Sequence, residues 1–259
     1  MFKGVSTKQF DNFFRCEDDC RKYLFDLKWK RGYSCRRCSH GEYWKGRTRF
    51  HTRCKKCDYN ESVSANTFFE GIKLPLLKAF KMAFIISAKK GMSSVDLAIE
   101  FGINQKSAWL FATKVRKAIP FYDSSKVRSK VRRIIDGIIL SHRRENCNGL
   151  QKVEVSLCQE AEAGVKKPQV YVAGSEPDIK DDDFLQCDLV HGSYEGLEPD
   201  IRIWNFKAWL IGTHHHCSLK YSMSYLKEFF FRQNNSSRKD LACHRLLSFM
   251  AAVKPARFI

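Results

Sequence analysis

The sequence contains no apolar run approaching the ~20 residues that a bilayer-spanning helix needs. Its first residues, MFKGVSTKQFDNFF, lack the apolar segment of a signal peptide. Both absences point to a soluble, intracellular protein with no membrane partner. No internal repeat and no low-complexity tract is present, which argues against repeat architectures. Acidic residues are scarce in one region only. Residues 1–133 hold 30 Lys and Arg against 12 Asp and Glu, whereas residues 134–259 hold 16 of each. The whole net charge of +18 therefore sits in the N-terminal half, interleaved with aromatics, as expected of a polyanion-binding surface. A basic membrane-surface protein is the bland rival, but no single basic amphipathic helix stands out.

At 259 residues and 44% apolar, the chain can bury a real core and divide into two or three small domains. In an intracellular protein, 11 cysteines suggest metal ligation and buried thiols before disulfides. Four of them are paired. CRRC (Cys35, Cys38) and CKKC (Cys54, Cys57) are separated by 15 residues. In a C-x2-C turn both thiolates can face one ion, and two such turns close a tetrahedral site. The expectation is structural Zn2+, because all four positions are filled by protein. The flanking Arg36, Arg37, Lys55 and Lys56 favour the thiolates and offer charge to phosphate. Cys16 and Cys20, one helical turn apart, read as core.

Apolar spacing predicts a helix across residues 1–30, then glycine- and cysteine-rich β-like pieces over 33–60. Three helices are expected between Pro75 and Pro120. The second is capped by Ser93 or Ser94 and stopped by Gly102; the third opens with Asn104, Gln105 and Lys106. A short helix, a glycine turn and a second helix have helix-turn-helix form, in which the second helix's first residues meet base edges in double-stranded DNA. Val95, Leu97, Ala98, Ile103, Ala108 and Trp109 are the apolar positions expected to bury the pair. RRIIDGIIL, KVEVSLCQE, PQVYVAG and FLQCDLV read as strands, and helices are expected over 200–212, 218–233 and 238–252. The resulting division is 1–70 for the N-terminal helix and ribbon, 71–120 for the helix-turn-helix, 121–133 for a basic linker, and 134–259 for a further domain. The run His214, His215, His216 reads as a turn between helices, since adjacent side chains cannot all face one ion.

The order of ribbon, FFEGIKLPLLKAFKMAFIISAKKGMSS, helix-turn-helix and WNFKAWLIGTHHHCSLKYSMSYLKEFFFRQN resembles bacterial zinc-ribbon insertion-sequence transposases. Asn205, Lys207, Trp209, Gly212, Thr213, His214, His215, Phe231, Arg232 and Asn234 match the motif that ends that family's catalytic domain. The resemblance implies an α+β multi-domain chain ending in an RNase H-like domain with a D-D-E or D-D-N triad. It further implies divalent-metal-dependent cleavage and transfer of DNA strands at an element's ends and target, with catalytic Mg2+ or Mn2+. A homo-oligomer on DNA and a place at the bacterial nucleoid are also implied.

On that pattern Asp136, alone among apolar strand residues, is the first catalytic ligand, and burying it without an ion would be costly. Asp188 is the second, with Asp178 and Asp183 as alternatives, and Asn205 is the third. Lys207 stands ready for phosphate. Two features depart from the family. Asp136 is followed by Gly137 where the family has Glu, and Asp188 precedes Asn205 by only 17 residues, which implies a compacted catalytic domain. A catalytically inactive, transposase-derived DNA-binding protein or transcription regulator is therefore the alternative. A ribbon that binds RNA is the third reading, disfavoured by the helix-turn-helix.

Overall fold

The computed structural model describes residues 1–88, 91–121, 132–141, 150–160, 169–172, 201–215 and 217–254. The described chain mixes eight helices with two three-stranded antiparallel sheets. No helix among the described residues is long and apolar enough to cross a membrane.

The expected first helix is broken into two, α1 (Thr7–Phe13) and α2 (Glu17–Lys28). The cause is capping. Ser6 and Gln9 form a reciprocal box at the start of α1, and the Asp19 carboxylate accepts the backbone N–H groups of Arg15 (2.8 Å) and Cys16 (3.1 Å). Those donors are thereby committed to a new helix start.

The small sheet, β1 (Tyr43–Lys45), β2 (His51–Cys54) and β3 (Asn60–Ser62), follows. It is tied to α2 by Lys28, whose ammonium donates to Glu61 (2.7 Å) and to the carbonyls of Ser62 (3.0 Å) and Ala65 (2.7 Å).

Helix α3 (Leu76–Ser87) starts behind Pro75, and its first N–H groups, on Leu76 and Leu77, donate to the Glu17 carboxylate of α2 at 3.0 and 2.9 Å. An anion at a helix N-terminus satisfies orphan donors and complements the dipole. Helix α4 (Ser94–Phe101) is capped by Ser93 and ended by Gly102 in the left-handed region. Helix α5 (Gln105–Ala118) has Asn104 as its N-cap. Leu97 and Ala108 are fully buried between these helices, but Val95 is 48% exposed, so the expectation that it packs inward fails. It shares an outward α4 face with Ile99, one turn on.

The second sheet is a meander of β4 (Arg132–Ser141), β5 (Leu150–Glu160) and β6 (Gln169–Val172). Strands β4 and β5 pair along their length, from Arg132 opposite Gln159 to Ser141 opposite Leu150. Arg132 and Arg133, shared between the expected linker and the expected RRIIDGIIL strand, belong to the strand. The expected FLQCDLV strand lies outside the described residues. Three helices complete the chain: α6 (Ile201–His214), α7 (Leu219–Asn234) and α8 (Lys239–Ala252).

The described residues form two main hydrophobic cores. Leu246, Leu247 and Met250 of α8 are fully buried in one core with Phe10, Phe14, Leu24 and Phe80 from the first half. The second core joins Leu157, Val170 and Val172 of the sheet to Phe206, Leu226 and Phe230 of α6 and α7. Helix α7 serves both, with Phe231 in the first core and Phe229 and Phe230 in the second. A helix flanked on both sides is buried all round, and its polar residues Ser222, Ser224, Lys227, Glu228 and Arg232 are buried too.

Candidate functional site

The two cysteine turns are built alike. In each, the first cysteine's sulfur accepts the N–H two residues on, Arg37 to Cys35 and Lys56 to Cys54, both at 3.4 Å. Its carbonyl accepts the N–H four residues on, from Ser39 (2.8 Å) and Asp58 (3.1 Å), and both of those residues adopt positive φ, 59° and 56°. The turns face one another, with Cys35 Sγ 3.6 Å from Cys57 Sγ and Cys38 Sγ 3.5 Å from Cys54 Sγ. All four sulfurs lie within 4.8 Å of one another. Four thiolates at ~2.3 Å around a tetrahedral zinc would sit about 3.8 Å apart, so the cluster has the size such an ion needs. Burial raises the Cys35 thiol, but the N–H groups of Arg37 and Cys38 and the neighbouring thiols outweigh it and bring it down to about 6. The Tyr59 N–H lowers Cys57, yet burial and the other three thiols drive it up to about 12. A cation seated among four thiols this close would displace their protons and be held by the thiolates. This four-cysteine cluster could hold a metal such as zinc, and it is the one such group among the described residues.

No family model, curated protein or solved structure matches the chain. The site must be read from its own residues.

Arg36 and Arg37 in the first cysteine turn, and Lys55 and Lys56 in the second, are all exposed. Gln105 and Lys106 are exposed at the start of α5. Asn104 is exposed as well, but its side-chain oxygen is committed as the cap, accepting the Lys106 N–H at 2.7 Å. That leaves its NH2 group to point outward.

Of the expected catalytic ligands, Asp136 occupies the middle of β4, in register with Val155. Asn205 is exposed on α6, the helix that lies beside β4, and Lys207 is half-buried two residues further on. Asp188 and its alternatives, Asp178 and Asp183, lie outside the described residues.

The histidine run divides. His214 ends α6 with its ring between Trp209 (centroids 4.9 Å apart) and Tyr225 (4.7 Å), and among the described residues its buried Nε2 has no partner. His215 is exposed with φ 59°, making the turn, and His216 lies outside the described residues. Burial pushes the His214 pKa down to about 4; Glu228 opposes this and Arg116 adds to it. The fold therefore holds the neutral ring. A histidine with a depressed folded pKa contributes fully above its unfolded value and loses that contribution as pH falls towards the folded one. Between pH 7.5 and 4.5 the loss from this group should be roughly 2–3 kcal/mol. Unfolding free energies from urea titrations at the two pH values should converge by that amount in His214→Phe relative to wild type. An unchanged pH dependence would exclude this histidine as the cause.

Sequence reading missed what lies behind α6. Arg116 Nε, near the end of α5, donates to Glu228 Oε2 of α7 at 2.5 Å, and the two side chains are 3% and 1% exposed. Arg232 Nη1 lies 3.2 Å from Glu228 Oε1, yet neither of its terminal nitrogens has a hydrogen-bond acceptor among the described residues. Its guanidinium covers the Trp209 ring at 4.3 Å, and that of Arg116 covers Tyr225 at 4.0 Å. A Cβ on Gly91 would stand 1.7 Å from Arg232 Nη1, and Gly91 has φ 69°, so only glycine fits there. Asn234 bonds both backbone groups of Val170, accepting its N–H (2.8 Å) and donating to its carbonyl (2.7 Å). Asn234 thus fastens α7 to β6, Arg232 packs α7 against Trp209 of α6, and the Arg116–Glu228 pair joins α7 to α5.

Proposed function

We propose that the chain is a DNA transposase of the zinc-ribbon insertion-sequence type, with an RNase H-like catalytic domain and a D-D-N triad of Asp136, Asp188 and Asn205. One observation carries the reading: Asp136 lies on the first strand of an antiparallel sheet, and the exposed Asn205 lies on the helix beside that strand. The four-cysteine cluster and the exposed cations of the first half support it as the DNA-binding part. The helix, glycine turn and helix from Ser94 to Ala118 add a reading head whose outward tip is Gln105 and Lys106.

The donor set of two carboxylates and an amide oxygen suits hard divalent ions, Mg2+ or Mn2+. When bound, such ions supply charge stabilisation to the attacking and leaving oxygens of an in-line displacement at phosphorus. Asp136 and Asp188 supply the negative charge and Asn205 a neutral oxygen, so the site carries one charge fewer than a triad ending in glutamate. Lys207, beside Asn205, offers a cation to the phosphate under attack. Cleavage lets a water oxygen replace the 3′-oxygen at phosphorus, and that oxygen leaves as a 3′-hydroxyl. The freed 3′-hydroxyl then attacks a second phosphodiester, whose own 3′-oxygen leaves with the proton, so one phosphodiester bond forms as another breaks.

The test uses the full chain, Mn2+ titration calorimetry, nicking of supercoiled plasmid, and binding to a labelled duplex at several salt concentrations. Wild type should bind Mn2+ saturably, nick the plasmid, and bind duplex with an affinity that falls steeply with salt. Asp136→Asn should lose Mn2+ binding and nicking while duplex binding stays within about twofold, since phosphate contacts dominate that affinity. Duplex binding without Mn2+ binding in wild type would favour the non-catalytic DNA-binding protein. Absence of duplex binding would sink both readings.

A further inference from the structure

The sequence of the ribbon leaves one large side chain without a structural explanation. Among the described residues strand β1 is an edge strand, paired only to β2, and successive residues on it face opposite sides. Tyr43 turns to the protein, where its ring meets Tyr33 (centroids 4.8 Å apart) and Trp29 (6.5 Å, nearly parallel). Trp44 turns the other way and is 59% exposed. Among the described residues its ring meets no other ring; the Lys55 ammonium lies 4.5 Å from its centroid. Its register partner across the strands is Arg53. A bare tryptophan on an unpaired edge contributes little to the fold and exposes the sheet to aggregation.

The segment around it carries a strong net positive charge, beyond the two cations nearest the ring that are each paired to an acid. Residues 31–60 hold nine Lys and Arg, every one exposed, and two acids. Both acids are bound to cations beside the ring: Glu42 to Lys55 at 3.0 Å and Asp58 to Arg53 at 2.9 Å. A flat aromatic face framed by cations is what unpaired nucleotides require, because each base offers a π-face to the ring and each phosphate a charge to the frame. A base pair inside duplex DNA has both faces covered by its neighbours and cannot use the ring.

We propose that the Trp44 face of the ribbon, framed by Lys55 and Arg53, is a stacking site for an unpaired nucleotide of a DNA strand. The inference rests on the DNA-binding reading above and adds to it a preference for ends or junctions where single-stranded nucleotides protrude. One ring face is covered by Lys55, so a single base stacks on the other.

The experiment compares fluorescence anisotropy of two labelled probes with the full, zinc-loaded chain: a blunt duplex, and the same duplex with a short single-stranded overhang. Wild type should bind the overhang probe more tightly. Trp44→Ala should weaken binding to the overhang probe by about tenfold, the effect of losing one stacked base, and leave the blunt duplex within about twofold. Trp44→Phe, which keeps a π-face, should restore most of the difference. Zinc content equal to wild type would show that both variants keep the ribbon folded, as expected of an exposed position. Equal binding of both probes by wild type and Trp44→Ala would overturn the proposal while leaving duplex recognition standing. Equal weakening of both probes would overturn it too, placing Trp44 on the duplex. If neither probe binds wild type, the DNA reading falls and the proposal with it.

Discussion

Removing the ion from the four-cysteine cluster is expected to unfold residues 32–62 and leave the helical core standing. The reason is how little else the ribbon buries. Its own apolar core is Tyr33, Cys35 and Cys54, with Trp29, Cys38, Cys57 and Tyr59 packed at the edge, so four of these seven are the ligands themselves. A unit of this size cannot offset the conformational entropy of ordering its chain. Structural zinc in small zinc-binding domains contributes about 10–16 kcal/mol at neutral pH, enough to account for the folding of a unit this size. The purified chain should carry one zinc by elemental analysis, and Cys54→Ser, at a fully buried ligand, should carry none. Chelation of wild type, or that substitution, should erase amide-exchange protection across β1–β3. Protection in α3 and α8 should persist, because their core is built from helices and not from the ribbon. Zinc should also leave as pH falls, since protons compete for the thiolates. Protection of the ribbon that survives complete chelation would show that the cysteines pack without an ion.

Much of this unit was legible in the sequence because its determinants are local. Each cysteine turn is closed by hydrogen bonds spanning two to four residues, so the C-x2-C spacing carries the geometry within itself. The same holds for Ser93, Gly102 and Asn104, whose capping roles depend on neighbours at most five residues away. Longer reach defeats sequence reading. The break between α1 and α2 depends on which way the Asp19 carboxylate turns, and apolar spacing runs straight through it. The return of α8 into the N-terminal core leaves no trace in its own residues, since any apolar helix face could have packed on the nearer sheet. Asp136 was legible as an isolated carboxylate in an apolar strand, and Asn205 only through its resemblance to a motif. Arg116 and Glu228 read as ordinary surface charges in a linear sequence, because 112 residues separate them, and Arg232 stands out only as part of the resembling motif.

That pair carries the second large effect. Burial alone would raise the Glu228 carboxyl, but the Arg116 and Arg232 guanidiniums override it and hold it below the ordinary glutamate value. It is therefore ionised, and it is the counter-ion for two buried cations. Glu228→Gln keeps the shape and removes the charge, leaving Arg116 and Arg232 beside one another with no anion in their cluster. Truncating one side of a buried pair in this way costs about 3–5 kcal/mol, because the surviving charge is left desolvated. The loss should fall on the junction between α5 and α7, where the two hydrophobic cores meet. Replacing both partners, in Arg116→Met with Glu228→Leu, removes one cation together with the anion and should cost less than Glu228→Gln alone. Urea denaturation of the single and double variants measures the coupling. If the double variant is as unstable as the sum of the singles, the two side chains act independently and the junction owes its stability to the apolar contacts around them. If the double recovers, the buried charges serve the geometry of the junction more than its stability.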